Sequence, residues 1–104
     1  MGEIGQLRYT IENPSSAMVA RHMCALLQEL DILTVGVRED AGRFRVTVVI
    51  DDTDLDLWER IFQRTAEIYD IFPDLRAEII VVNRHDPKGQ VVLTGDGVDC
   101  SVVP

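Results

Sequence analysis

Four aspartates crowd into six positions, Asp51, Asp52, Asp54 and Asp56, and carboxylates at that density invite a calcium reading. Asp52, Asp54 and Asp56 stand at the first three alternate ligand positions of an EF-hand loop. The sixth position is then Leu57, where the sharp turn needs Gly, and the twelfth is Gln63, where the ion needs a bidentate Glu. The string is better placed as the start of a helix, with Thr53 the expected N-cap and the flanking carboxylates at the positive end of the helix dipole. Neither a metal nor a cofactor is expected. His22 sits at the edge of an apolar stripe and His85 in a turn beside Asp86, and adjacency in sequence does not orient an acid–base pair. Cys24 falls on the apolar side of a helical stretch and reads as a small buried hydrophobe, far in sequence from Cys100. Two cysteines make neither a disulfide scaffold nor a zinc site. A phosphate loop, a dinucleotide fingerprint, HExxH and CxxC are all absent. One arrangement has binding chemistry: Asn13-Pro14-Ser15-Ser16 lies between an expected strand and a helix start. Free backbone N–H groups there, with Ser and Asn side chains beside them, could receive a carboxylate; the plainer reading is an ordinary helix cap.

The elements that must position these residues follow from periodicity. Leu7 to Glu12 alternates apolar with polar, the mark of a half-buried strand, and Asn13-Pro14 stops it. From 14 to 30 the apolar residues Val19, Met23, Leu26 and Leu30 recur at helical spacing, widened by Ala20, Cys24 and Leu27. Residues 32–38 and 44–50 are β-branched runs around the turn Glu39-Asp40-Ala41-Gly42, and so close short of each other that they predict an antiparallel hairpin. Phe44, Val46, Val48 and Ile50 share one face of it. A second helix is expected over 54–72, with the stripe Leu57, Trp58, Ile61, Phe62, Thr65, Ile68, Tyr69 and Phe72 in the core, and a fourth strand over 75–83. The order β-α-β-β-α-β is a loose duplication and predicts an α+β, ferredoxin-like sandwich: an antiparallel sheet with strands 1 and 3 central and both helices on one face. His85-Asp86-Pro87-Lys88-Gly89 reads as a turn, followed by a C-terminal β-hairpin from Gln90–Thr94 and Val98–Val103. Residues 1–84 are thus expected as the domain and 85–104 as an extension.

Composition narrows the partners. The chain has 104 residues, enough for one domain, and a net charge of −8. That charge opposes a nucleic-acid footprint and an anionic membrane surface. No apolar run reaches a membrane span and the N-terminus lacks the basic and apolar parts of a signal peptide, so a cytoplasmic setting is expected.

From about Leu7 to Val82 the chain resembles the ACT-domain family, nearest in pattern to the regulatory small subunits of acetolactate synthase. The resemblance rests on Ile11-Glu12-Asn13-Pro14 at the strand-to-helix turn, on Asp31-Ile32-Leu33-Thr34-Val35-Gly36, and on Arg45-Val46-Thr47-Val48-Val49-Ile50-Asp51 with the helix after it. It implies the βαββαβ order and a non-enzymatic regulatory or ligand-sensing role. A small amino acid or carboxylate effector would bind at Asn13, Pro14, Ser15 and Ser16, at a homodimer interface, with a partner enzyme to regulate. Ser15 and Ser16 stand where the family has Gly after Pro. That feature suits a second reading, an interaction module that keeps the fold without the ligand. A third, a small dimeric ferredoxin-like enzyme, needs His22 or His85 in a pocket on the open sheet face. The homodimer itself is expected because that face carries Val49, Ile80 and Val82, which want cover from a second copy or from the Val-rich tail.

Overall fold

A computed structural model describes residues 14–98. The elements are α1 (Ser16–Leu26), β1 (Thr34–Asp40), β2 (Arg43–Ile50), α2 (Leu55–Thr65), α3 (Ile68–Ile71), β3 (Ala77–Asn83), α4 (Pro87–Val91), a π-helical segment Val92–Asp96 and a two-residue strand β4 (Gly97–Val98). The sheet order is β3-β2-β1-β4. The molecule is therefore α+β, with a mixed sheet.

The hairpin forms as its sequence requires. Ala41 and Gly42 take φ of 54° and 80°, the left-handed pair that lets two residues reverse twisted strands. The turn sets the register, placing Val35 opposite Val48, Val37 opposite Val46 and Arg38 opposite Arg45. Period-2 alternation then turns Val35, Phe44, Val46, Val48 and Ile50 to one face, where they pack with Val19, Met23 and Leu27 of α1 and its end, Ile61 of α2, and Ile68 and Phe72 around α3. The Arg64 guanidinium, from α2, donates to the carbonyls of Leu26 and Gln28 at 3.2 and 3.5 Å. It thereby caps the open end of α1, whose last carbonyls lack partners within the helix.

The strand order departs from the ferredoxin-like plan. That plan seats the strand at 7–12 beside 44–50, between it and the fourth strand. Instead β3 pairs directly and in parallel with β2, Val46 opposite Ile79 and Val48 opposite Val81. Both edges of β2 are thus taken, by β1 and β3. The stretch 51–76 contains α2 and α3, long enough to return the chain parallel to its neighbour, which is what a β-α-β crossover needs. The segment 7–12 lies outside the described residues.

Other expectations are corrected locally. The cap of α2 is Asp54, not Thr53: one Asp54 oxygen accepts from the N–H groups of Asp56 and Leu57 at 3.0 and 3.2 Å. Thr53 Oγ1 accepts from Asn83 Nδ2 instead, and Asp52 accepts from the Thr53 N–H. The long second helix is broken at Ala66-Glu67. Its stripe consists of two neighbouring rows, and only one of them, led by Ile61 and Thr65, enters the core. Trp58 and Phe62 are each 41% exposed, against 0% for Ile61. They stack edge to face at the rim, 5.8 Å apart. Cys24 is buried as expected but is disulfide-bonded; the other cysteine, Cys100, lies outside the described residues.

The C-terminal stretch is helical where a hairpin strand was expected at Gln90–Thr94. Asp86-Pro87 is a helix start, not a turn: the Asp86 carboxylate accepts from the Lys88 N–H at 2.8 Å and Pro87 fills the first helical position, where its missing N–H costs nothing. α4 and the π-helical segment then lie across the sheet's second face. Val92 is buried there, and Gly36 and Gly89 permit the close approach. Thr47 and Val49 are buried under this cover. The apolar half of that face is thus closed by the chain itself.

Candidate functional site

The second face has another half, toward the hairpin tip, which α4 and the π-helical segment do not reach. The alternation that sends Phe44 and Val46 inward sends Arg43 and Arg45 outward on β2. On β1 it sends Arg38 and Asp40 the same way, and on β3 Glu78. The register makes Arg38 oppose Arg45, Asp40 oppose Arg43, and Arg45 oppose Glu78. Arg76 enters just before β3, its carbonyl accepting from the Phe44 N–H at 2.8 Å. These residues line an open groove of about 860 Å³ that continues around the sheet edge to Tyr69, Leu75 and the buried ring of Phe44.

Its electrostatics differ from those of the whole chain. Among the described residues, four of the chain's ten cationic side chains, Arg38, Arg43, Arg45 and Arg76, line the groove with three carboxylates, Glu39, Asp40 and Glu78. The groove is therefore locally cationic on a molecule of net charge −8. Arg45 Nε donates to Glu78 at 3.1 Å, with both side chains about two-thirds exposed. Among the described residues no carboxylate pairs with Arg43 or Arg76. Arg38 stands directly opposite Arg45, a like-charge cross-strand pair beside the Glu78 carboxylate, 3.1 Å from Arg45. Planar guanidinium groups match a carboxylate in two parallel hydrogen bonds, and the carboxylates beside them match an ammonium.

The residues expected to bind are arranged otherwise. Ser15 is the N-cap of α1, and its hydroxyl oxygen accepts from the Met18 N–H at 3.2 Å. Pro14 is buried, Ser16 begins the helix half-buried, and Asn13 lies outside the described residues. His22 packs edge to face on Phe72, 5.1 Å between centroids. His85 is exposed in the turn after β3, its N–H donating to the Asn83 side chain. Neither histidine lines the groove. Arg38, Arg43 and Arg76 were not singled out by sequence reasoning. The available signal was the two-residue turn, which alone implies that 38 faces 45 and 40 faces 43.

Among the described residues no helix is long and apolar enough to cross a membrane. No family model matches the chain, and neither a curated protein nor a solved structure matches it.

Proposed function

We propose that this chain is a small, non-enzymatic ligand-sensing module that takes an amino acid or another small carboxylate in the arginine-lined groove. The observation that supports this is the local reversal of charge: guanidinium groups and carboxylates side by side, on one open sheet face, next to Tyr69 and Leu75. A zwitterion needs both signs within a few ångströms, and an apolar wall gives its side chain somewhere to go. The ligand class is the one the ACT-domain resemblance implies; the place proposed for it is the hairpin end.

Calorimetry across the amino acids and small dicarboxylates tests the reading. Binding in the micromolar to millimolar range is expected. A hydrogen bond to a charged group contributes about 1.5–3 kcal/mol, so Arg43→Gln with Arg76→Gln should weaken it at least tenfold. Absence of heat with every compound at millimolar concentration would abandon the groove.

A second reading, an interaction module, is favoured by the exposed ridge of α2, where Leu55, Trp58 and Phe62 lie on one side of the helix.

A further inference from the structure

Parallel pairing fixes which backbone groups of β3 face away from β2. The carbonyl of Arg76 accepts from the Phe44 N–H, so even-numbered residues turn inward and Ala77, Ile79, Val81 and Asn83 turn outward. Among the described residues β3 is an edge of the sheet. Three of its four outward carbonyls already have donors. The Tyr69 hydroxyl donates to Ala77 O at 3.3 Å, Trp58 Nε1 to Val81 O at 3.3 Å, and the Asp86 N–H to Asn83 O at 3.1 Å. Trp58 and Tyr69 thus leave the core row of their helices to lean over the edge. This explains why two large rings stay about two-fifths exposed. Natural sheets cover an edge in this way when it would otherwise template another strand.

We propose that β3 is a latent strand-addition surface for a second copy of this chain, held closed by the Trp58 and Tyr69 hydrogen bonds. The occupant follows from the charge pattern of the strand itself. In a continuous antiparallel pair, two-fold symmetry places the axis on a residue. An axis at Ile80 sets Arg76 against the copy's Arg84. An axis at Val81 sets Ile80 against the copy's Val82 and, with pairing carried one residue past Asn83 into the turn, Glu78 against the copy's Arg84, each twice. The present partners of these charges, Arg45 for Glu78 and Asp51 for Arg84, form exposed pairs at 3.1 and 3.2 Å, which exchange at little cost. With the axis at Val81, the two Val81 residues exchange N–H and C=O bonds. The Val81 carbonyl must then give up the Trp58 indole, and the Asn83 carbonyl, opposite the copy's Ile79, must give up or share the Asp86 N–H. The same move brings the Leu55, Trp58 and Phe62 ridges of the two copies together along the new seam. The homodimer expected from the sequence thereby acquires a surface other than the sheet face, together with a contact that opposes it.

The test is Trp58→Phe with Tyr69→Phe, which keeps an aromatic ring at each position and removes both donors. By sedimentation, the natural sequence should be a monomer at micromolar concentration and the variant should double in apparent mass. The Ile79 and Val81 amides should become protected from exchange. In the variant background Glu78→Arg should restore the monomer, and adding Arg84→Glu should restore the dimer. Since Glu78 and Arg84 are bonded to other residues within one chain, only opposition across the seam explains that rescue. The proposal is overturned if the variant stays monomeric, if the natural sequence is already dimeric, or if Glu78→Arg leaves the dimer intact. It is also overturned if the edge amides gain protection in a monomer, which would give the edge to the chain's own segment 7–12. Should the double variant fail to melt cooperatively, Trp58→Phe alone, which frees the Val81 carbonyl, carries the same exchange and mass measurements to the same outcomes.

Discussion

The two halves of the sheet's second face are built from the same strands by the same alternation, and they have opposite fates. Toward the end of β2, Thr47 and Val49 meet α4 and the π-helical segment and are buried; toward the hairpin tip, Arg43 and Arg45 stand in the open. The change falls between Arg45 and Thr47, successive positions on one face. What separates them is reach. The cover is a short helical stretch, Pro87 to Asp96, and it can lie close to the sheet only where side chains are absent. A Cβ on Gly36 would come within 2.9 Å of both Val92 methyl groups, and one on Gly89 within 2.7 Å of the Asn83 carbonyl oxygen. Glycines and valines define the closed half, and arginines define the open one. The lesson is that a face polar by count can be divided by a short local cover into a second core and a candidate binding surface.

Gly89→Ala should break the closed half most severely. Its Cβ meets a backbone oxygen at the end of β3, which cannot yield without moving the strand. Overpacking of this kind costs roughly 1–3 kcal/mol, a drop of about 4–8 °C in Tm per kcal/mol for a domain near this size. A Tm unchanged within a degree would mean that α4 does not seat as described. Val92→Ala comes next. Losing two buried methyl groups should cost about 1–2 kcal/mol, and it sharpens the comparison through a double-mutant cycle. The three atoms nearest a Cβ on Gly36 all belong to Val92, so Gly36→Ala should be destabilising in the natural sequence and much less so beside Val92→Ala. Additive effects would show that the two residues are not in contact.

What could be seen in the sequence was local. The hairpin, its left-handed Gly42, the inward row Phe44, Val46, Val48 and Ile50, and the Ala77, Ile79, Val81 row all follow from period-2 alternation and turn chemistry, and the structure has them. Three things did not follow. Periodicity does not say which strand a returning strand joins, so β3 beside β2 could not be distinguished from the ferredoxin-like order. A two-row apolar stripe does not say which row is inward, so the sequence points Trp58 and Phe62 into the core although both stand at its rim, each 41% exposed. Asp86-Pro87 satisfies both turn and helix-start chemistry, and only the packing of Val92 and Gly89 on the sheet selects the helix. The groove was hidden for a related reason: Arg38, Arg43 and Arg76 look like ordinary surface charges until the register brings them together.

The smallest expected effect belongs to the open half. Arg45→Gln removes the 3.1 Å ion pair with Glu78, but both side chains are about two-thirds exposed, and exposed pairs contribute at most about 1 kcal/mol. The same substitution removes a like charge directly opposite Arg38, which returns a few tenths of a kcal/mol or more. The two terms oppose each other, so the stability should shift by less than about 0.5 kcal/mol, as surface changes do. Added salt should change it little, because it screens the attraction and the repulsion alike. Urea denaturation of Arg45→Gln at low and high salt checks this. A loss above about 1 kcal/mol would mean that the Arg45–Glu78 pair is a structural tie between β2 and β3. The open half would then be, like the closed one, a part of the fold, and the groove would lose its claim to be a surface set aside for a ligand.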